Sequence, residues 1–243
     1  LNFKNKYDQV KIQIEAVELL RLAKEKYSYQ ELMNLTGIPI TVLNRYIKGH
    51  ILPNPERAIA ILNSIEKAFD ISNYIKERIE FNEDGLLDNT KIIGDTLLLR
   101  YIANYVVRLL AGKRISKVLT IAVDGIPLAT HIANAFGVPL VYAKKEKEVG
   151  VSSFIEETYT LTGFGVQVSL YLPKGLIEKK DSILITDDII RSGEQIKAAI
   201  NMVKKVGANI AAIFVLITVG EKWKKELGNY HVYSLVNLPE SPT

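Results

Sequence analysis

Two adjacent carboxylates, Asp187 and Asp188, sit in the run Ile183-Leu184-Ile185-Thr186-Asp187-Asp188-Ile189-Ile190-Arg191-Ser192-Gly193-Glu194-Gln195. Neighbouring carboxylates at the end of a strand repel one another and are costly to keep together unless cations or hydroxyls meet them. The turn of small residues that follows leads straight into a helix, whose free amides and dipole favour a phosphate. Carboxylates fit a ribose diol or hydrated Mg²⁺, amides fit a phosphate, and the two together suit a ribose phosphate. As chemistry alone, the same residues also read as a polar strand end that caps a helix.

A second constellation lies near the N-terminus. Along the segment that opens after Pro39, Thr41, Asn44, Arg45 and Lys48 fall on one helical arc, while Ile40, Val42, Leu43, Tyr46 and Ile47 occupy the rest. The polar arc carries DNA-reading chemistry. Arginine bonds guanine bidentately, asparagine does so with adenine, threonine meets a thymine methyl and lysine suits phosphate. The alternative is a solvated face on a small helical bundle.

The elements that must position these groups follow from periodicity and punctuation. Apolar residues at three- or four-residue spacing predict a helix over 10–27. Ser28-Tyr29-Gln30-Glu31 has the form of a capping box, which starts a second, short helix near Tyr29. Gly37 suits the left-handed turn that ends it, Pro39 opens the third helix, and Gly49 stops that helix after Lys48. Two short helices across a glycine turn form a helix-turn-helix. From about Lys117 the pattern changes. Residues 117–124 and 182–188 are short, β-branched apolar runs of the kind buried in parallel sheets, each followed by a turn and a helix (127–136 and 194–206), and residues 138–143 and 209–219 supply further strands. Such alternation implies a parallel sheet with ligands at the C-terminal strand ends. Residues 149–172, with Gly150, Gly163 and Gly165, read as a mobile hairpin or lid. The apolar stretch from Thr90 to Leu110 reads as one helix that packs on the second domain or on a second subunit.

Length and composition bound the possibilities. A chain of 243 residues with 48% hydrophobic and 24% charged residues suits two domains. These are expected at 1–80 and 90–243, with 81–89, centred on Gly85, as linker. No run reaches the roughly 18 apolar residues that a membrane helix needs, and no secretory leader opens the chain, which reads as cytoplasmic. With no cysteine and only His50, His131 and His231, disulfides, thiolate sites and cysteine nucleophiles are excluded and zinc has few ligands. The basic excess is N-terminal: twelve lysines and arginines face nine carboxylates within residues 1–79.

Family likeness adds to this reading. The run from Ser28 to Leu62, with its Tyr46-Ile47-Lys48-Gly49 ending and the proline before the next helix, resembles the Cro/repressor-like helix-turn-helix family. ILITDDIIRSGEQ resembles the phosphoribosyl diphosphate (PRPP) signature of type I phosphoribosyltransferases, AVDGIPLA (122–129) their diphosphate loop, and VYAKKEKEVG (141–150) the strand and basic pair that follow it. Among such families the chain is most similar to bacterial xanthine phosphoribosyltransferase and the purine repressor of Gram-positive bacteria, and the domain pair resembles archaeal fusions of the two modules. The resemblance implies an α/β protein: an N-terminal all-α helix-turn-helix domain plus a C-terminal type I phosphoribosyltransferase-like parallel-sheet domain. It implies that Asp187 and Asp188 hold ribose hydroxyls directly or through Mg²⁺, with Ile189 and Ile190 completing the motif. Arg191, Ser192, Gly193, Glu194 and Gln195 would cradle the 5-phosphate, Asp124 and Gly125 face the diphosphate, and Lys144 and Lys145 neutralise it. Gln195, where the enzymes commonly carry a hydroxyl, and Glu194, a carboxylate beside an intended anion, depart from the enzyme pattern.

His131 reads as structural and Trp223 as a packing or rim aromatic, whereas Tyr159 and Phe164 could stack on a base or serve lid or dimer packing. The implied function is a homodimeric transcriptional regulator that binds double-stranded DNA and senses PRPP, a purine nucleotide or a related sugar phosphate, with no catalytic residue assigned and no tightly bound cofactor. Its rivals are an active purine phosphoribosyltransferase with an accessory DNA-binding domain, and a second domain that serves only dimerisation.

Overall fold

The computed structural model describes residues 5–83, 87–161 and 165–240, so Gly85, Gly163 and Phe164 lie outside the described residues. The chain divides into two compact units, one of residues 1–78 with 96–101, the other of 79–95 with 102–243.

The first unit is helical. It contains α1 (Lys6–Lys24), α2 (Tyr29–Thr36), α3 (Ile40–Ile47), α4 (Pro55–Ala68) and α5 (Ile71–Lys76). The expected capping box is formed: the Ser28 side chain accepts from the Glu31 amide, and Glu31 accepts from the Ser28 amide. Gly37 takes φ 69°, the left-handed conformation that a side chain disfavours, and turns the chain from α2 into α3. Leu19, Leu20 and Leu22 of α1, Leu32, Leu43, Ile61 and Ile65 are buried and form the core of this unit. The Arg21 Nε–H bonds the Ile47 carbonyl at 2.8 Å, satisfying an acceptor that the end of α3 leaves free.

Between the helical unit and the first strand of the main sheet lie β1 (Glu80–Phe81), β2 (Leu87–Asp88), α6 (Thr90–Ile93) and α7 (Thr96–Leu109). Two expectations are corrected here. Residues 81–89 are not a bare linker, because β1 and β2 pair antiparallel and Asn89 is buried. The stretch from Thr90 to Leu110 is not one helix either: it breaks at Gly94 and Asp95. Its apolar stripe, including Ile92, Leu98, Ile102, Val106 and Leu110, is buried within the chain itself and leaves only Leu109 as an exposed large apolar residue.

The second unit carries β3 (Lys117–Ile121), α8 (Gly125–Phe136), β4 (Leu140–Ala143), β5 (Phe154–Leu161), β6 (Val166–Pro173), β7 (Ser182–Ile190), α9 (Glu194–Val206), β8 (Asn209–Val219), α10 (Lys222–Leu227) and β9 (Val232–Leu238). Five strands form a parallel sheet in the order β4-β3-β7-β8-β9. The buried runs of β3, β7 and β8 explain its position at the centre: strands covered on both faces have no polar side to show. From β3 the chain crosses through α8 to β4 on one side, and from β7 through α9 to β8 on the other. Right-handed crossovers running in opposite directions put α8 and α9 on opposite faces and open a crevice between the C-terminal ends of β3 and β7.

The segment expected as a mobile hairpin or lid is an antiparallel hairpin, β5 with β6, whose first strand is fastened to α9. Asn201 Nδ2–H bonds Glu157 at 2.8 Å, Lys205 pairs with the same carboxylate, and Gln195 Nε2–H bonds the Tyr159 hydroxyl at 3.0 Å. The strand β9 and the helix α10 had no counterpart in the sequence reading.

Loss of the capping box tests the local account of α2. Ser28→Ala should cost about 1 kcal/mol, because the Glu31 amide at the helix start loses its acceptor, whereas Ser28→Asp should restore most of it. Urea unfolding of the three proteins measures both differences.

Candidate functional site

The crevice at the β3 and β7 ends collects the residues that the sequence singles out. β7 runs through the carboxylates to Ile190, two residues further than the apolar run suggests. Asp187 and Asp188 are therefore held inside the strand, 4% and 8% exposed. Burial, and the Asp188 carboxylate beside it, push the Asp187 carboxyl well above its ordinary range, and the more distant Asp124 adds to the rise. The Asp188 amide donates to Asp187 Oδ1 at 3.1 Å, and the Asn89 Nδ2–H donates to Asp188 Oδ2 at 2.6 Å. Ile190 lies in the hydrophobic core, so any contact it makes with a ligand is through its backbone.

Close approach explains Gly125. A Cβ there would overlap Thr120 Oγ1 and stand 2.5 Å from Asp187 Oδ1, so only glycine lets the start of α8 rest against the acidic pair. Asp124 precedes it as the N-cap of α8. With Val123, Tyr142, Lys144 and Lys145, Asp124 lines an open cleft of about 700 Å³. The structure thus brings the assigned Asp124, Lys144 and Lys145 together. Lys145 is exposed, but Lys144 is paired with Glu148, which also holds its ammonium pKa up, so an anion reaching Lys144 competes with that carboxylate.

Past β7 the chain turns through Arg191, which is exposed, and Ser192, whose hydroxyl donates to Glu194 at 3.1 Å. Gly193 adopts φ 88° with the Trp223 backbone 3.2 Å from where its Cβ would be, so both conformation and space demand glycine. It is the N-cap of α9, and no side chain caps that helix. The first-turn amides accordingly face whatever occupies the turn, as an anion site requires. Gln195, the residue that departs from the enzyme pattern, is bonded to Tyr159, whose phenol pKa is raised by its burial.

Several groups here were missed in the sequence. Thr120 and Thr186 are fully buried with hydroxyls that make no hydrogen bond. Thr120 is one of the neighbours that restrict Gly125. Asn89 gave no local signal, because its partner lies 99 residues away. Trp223, assigned as packing or rim, bonds the Gly220 carbonyl at 3.0 Å and edges a second cleft of about 710 Å³ with Thr218, Ser234 and Asn237.

In the helical unit, Thr41, Arg45 and Lys48 are exposed on α3, while Leu43 and Tyr46 are buried. Asn44 is half-buried, and its Oδ1 accepts from the Tyr29 hydroxyl at 3.1 Å. Its amide NH₂ is therefore the end turned to other partners.

The family model for the phosphoribosyl transferase domain matches residues 89–240, and the chain belongs to that family. The purine biosynthesis transcriptional repressor PurR of Bacillus subtilis is 26% identical over 241 residues, covering 98% of this chain and 81% of the repressor. The xanthine phosphoribosyltransferase of Clostridium tetani is 29% identical over 157 residues, covering 60% of this chain and 81% of that enzyme. Among solved structures, the adenine phosphoribosyltransferase of Thermoanaerobacter pseudethanolicus superposes with a TM-score of 0.63 at 22% identity, covering 68% of this chain and 99% of the enzyme, a likeness of fold. Among the described residues no helix is long and apolar enough to cross a membrane.

The raised pKa of Asp187 fixes a pH dependence. The folded chain holds the proton more tightly than the unfolded chain, so stability is present at low pH and is lost as pH climbs from about 4 through the raised value. Asp187→Asn, which keeps an acceptor for the Asp188 amide, should remove that loss. Thermal melts from pH 4 to pH 8 should show the variant more stable at the alkaline end and the two proteins converging near pH 4.

Proposed function

We propose that the chain is a DNA-binding transcriptional regulator whose phosphoribosyltransferase-like domain senses PRPP, a purine nucleotide or a related sugar phosphate. The observation that carries this is the extent of the likeness to the purine repressor, which covers 98% of the chain and so includes the helical unit, whereas the xanthine phosphoribosyltransferase covers 60%. In this reading α2 and α3 are a helix-turn-helix fused to the effector domain, and Thr41, Asn44, Arg45 and Lys48 meet the DNA. The exposed faces of Thr41, Arg45 and Lys48 support that role. One such module makes too few contacts for selective binding, so the chain acts as a homodimer on paired half-sites.

At the effector site the ribose hydroxyls meet Asp187 and Asp188, the 5-phosphate meets the turn at Arg191–Gln195 and the start of α9, and the diphosphate lies toward Asp124, Gly125 and Lys145. The oxygen-only donors suit Mg²⁺. Among the described residues no cluster of three metal-ligating side chains exists, so Asp187 and Asp188 would hold the ion together with oxygens of the ligand itself. Mg²⁺ would offset the charge of the diphosphate. The buried, unpartnered Thr120 hydroxyl near Asp187 supports a polar guest beside the pair.

Catalytic transfer is the second reading, favoured by the adenine phosphoribosyltransferase of Clostridium novyi, 28% identical over 176 residues and 98% of its own length. Against it stand Glu194 beside the phosphate turn and Gln195 spent on Tyr159.

Arg45→Ala should weaken binding to a duplex selected on the parent protein by about 1 to 3 kcal/mol and leave the fold intact, since the side chain points to solvent. Gel shift and circular dichroism check the two halves of that statement. Asp187→Asn with Asp188→Asn should lower PRPP affinity by at least about 1.5 kcal/mol, retain DNA binding and abolish its response to PRPP. Nucleotide formation from PRPP and a purine base at about 1 s⁻¹ or faster would instead establish the transferase reading.

A further inference from the structure

We propose that Asn89 is the latch through which the acidic pair is read out, a reading that rests on the regulator assignment and adds its coupling step. Three observations converge on this residue. Its amide holds Asp188 Oδ2 at 2.6 Å across 99 residues of sequence. Both side chains are more than nine-tenths buried, Asn89 at 7% and Asp188 at 8%, while Asp88, Thr90 and Lys91 around Asn89 are exposed. The side chain that points inward is thus the one that ends on the effector carboxylate.

Chain connectivity supplies the third. The Asn89 carbonyl accepts from the Ile92 amide at 2.8 Å and the Ile93 amide at 3.0 Å, so the residue that grips Asp188 also starts α6. After that single turn come Gly94 and Asp95, and with Thr96 the chain enters residues that belong to the helical unit. Asn89 is thus joined in sequence to residues of the helical unit by one short helix and the Gly94–Asp95 joint.

Ligand and latch compete for the same oxygen. A ribose hydroxyl or Mg²⁺ that reaches Asp188 Oδ2 draws on the same carboxylate charge that holds the Asn89 N–H, and weakens that bond. A buried polar group left without a partner is costly, so an Asn89 side chain that loses its acceptor has to move to find another. The two arrangements, Asn89 on Asp188 and Asn89 released, therefore differ in their affinity for ligand, and a ligand that binds the second better shifts the balance.

The experiment follows the full-length chain with PRPP and Mg²⁺ as probe. In the parent, ligand should speed amide hydrogen exchange at residues 87–95 by about five-fold or more, and should change affinity for the selected duplex by a comparable factor. Asn89→Ala should show the fast exchange without ligand, bind PRPP at least as tightly as the parent, and lose the ligand effect on DNA to within about two-fold. Asn89→Asp, which sets a carboxylate against Asp188 at nearly constant size, should behave in the same way and decides the matter if the alanine variant fails to fold. Slower exchange at 87–95 on adding ligand, or an Asn89 variant whose DNA binding responds to PRPP as the parent's does, overturns the latch and leaves the regulator reading standing. A parent that binds PRPP with no change in its grip on DNA overturns the regulator reading and the latch with it.

Discussion

Two carboxylates buried side by side cannot both be charged without help, and the second unit is arranged around supplying part of that help and withholding the rest. Asp188 has the Asn89 amide. Among the described residues Asp187 has only a neighbouring main-chain amide against its desolvation and the Asp188 charge, so its carboxyl is driven toward the protonated form. Gly125 brings the start of α8 against Asp187, and Thr120 leaves an unanswered hydroxyl close by. Each of these would be a defect in a structural core, where polar atoms find partners or are replaced by apolar ones. Together they form a polar wall whose chemistry suits hydroxyls or positive charge.

The sheet explains why that wall stands where it does. Parallel strands end with their carbonyls and following turns on one edge, and only at the β3–β7 boundary do the crossovers depart in opposite directions. Asp124 and Gly125 come from one strand end, and Asp187 to Gln195 from the other. Two loops that are far apart in sequence therefore share one crevice with no long insertion to bring them together. The hairpin β5–β6 adds Tyr159 from outside the sheet, and Gln195 is tied to it. The Gln195 side chain in this way links the position of the turn after β7 to that of β5.

What the sequence discloses depends on the range of the interaction involved. The capping box at Ser28, the glycine turn at Gly37 and the helix Glu194–Val206 were legible because caps, breakers and apolar periodicity act within a few residues. The strand β7 was legible as a buried run, yet its end was set too early, since an Asp-Asp pair looks like a terminus until the pairing of Ile189 and Ile190 with β8 carries it on. β9 was hidden, and so was the break at Gly94, because an isolated glycine is tolerated in many helices and only tertiary contact decides whether the chain stops there. Lys144 was assigned to the diphosphate, and Glu148 four residues further on pairs with it. Asn89 was beyond reach altogether: an asparagine before a helix is ordinarily a cap, whereas here its side chain reaches Asp188 and provides no cap hydrogen bond.

That last contrast bears on how an enzyme fold can serve as a sensor. A helix that opens with asparagine gains by turning the side chain back onto its own first amides, at a typical worth of about 1 kcal/mol. α6 forgoes this, and its start is secured instead by Asp88, which accepts from the Thr90 amide at 2.8 Å and from the Thr90 hydroxyl at 2.7 Å. With the cap supplied from one residue earlier, the Asn89 side chain is available for the carboxylate, and α6 need not unravel when Asn89 lets go. The helix can then move as a unit against the glycine that follows it. In the regulator reading, one oxygen of the acidic pair is joined to a short, separately capped helix, so that occupancy of the pair acts through displacement where an enzyme would act through turnover.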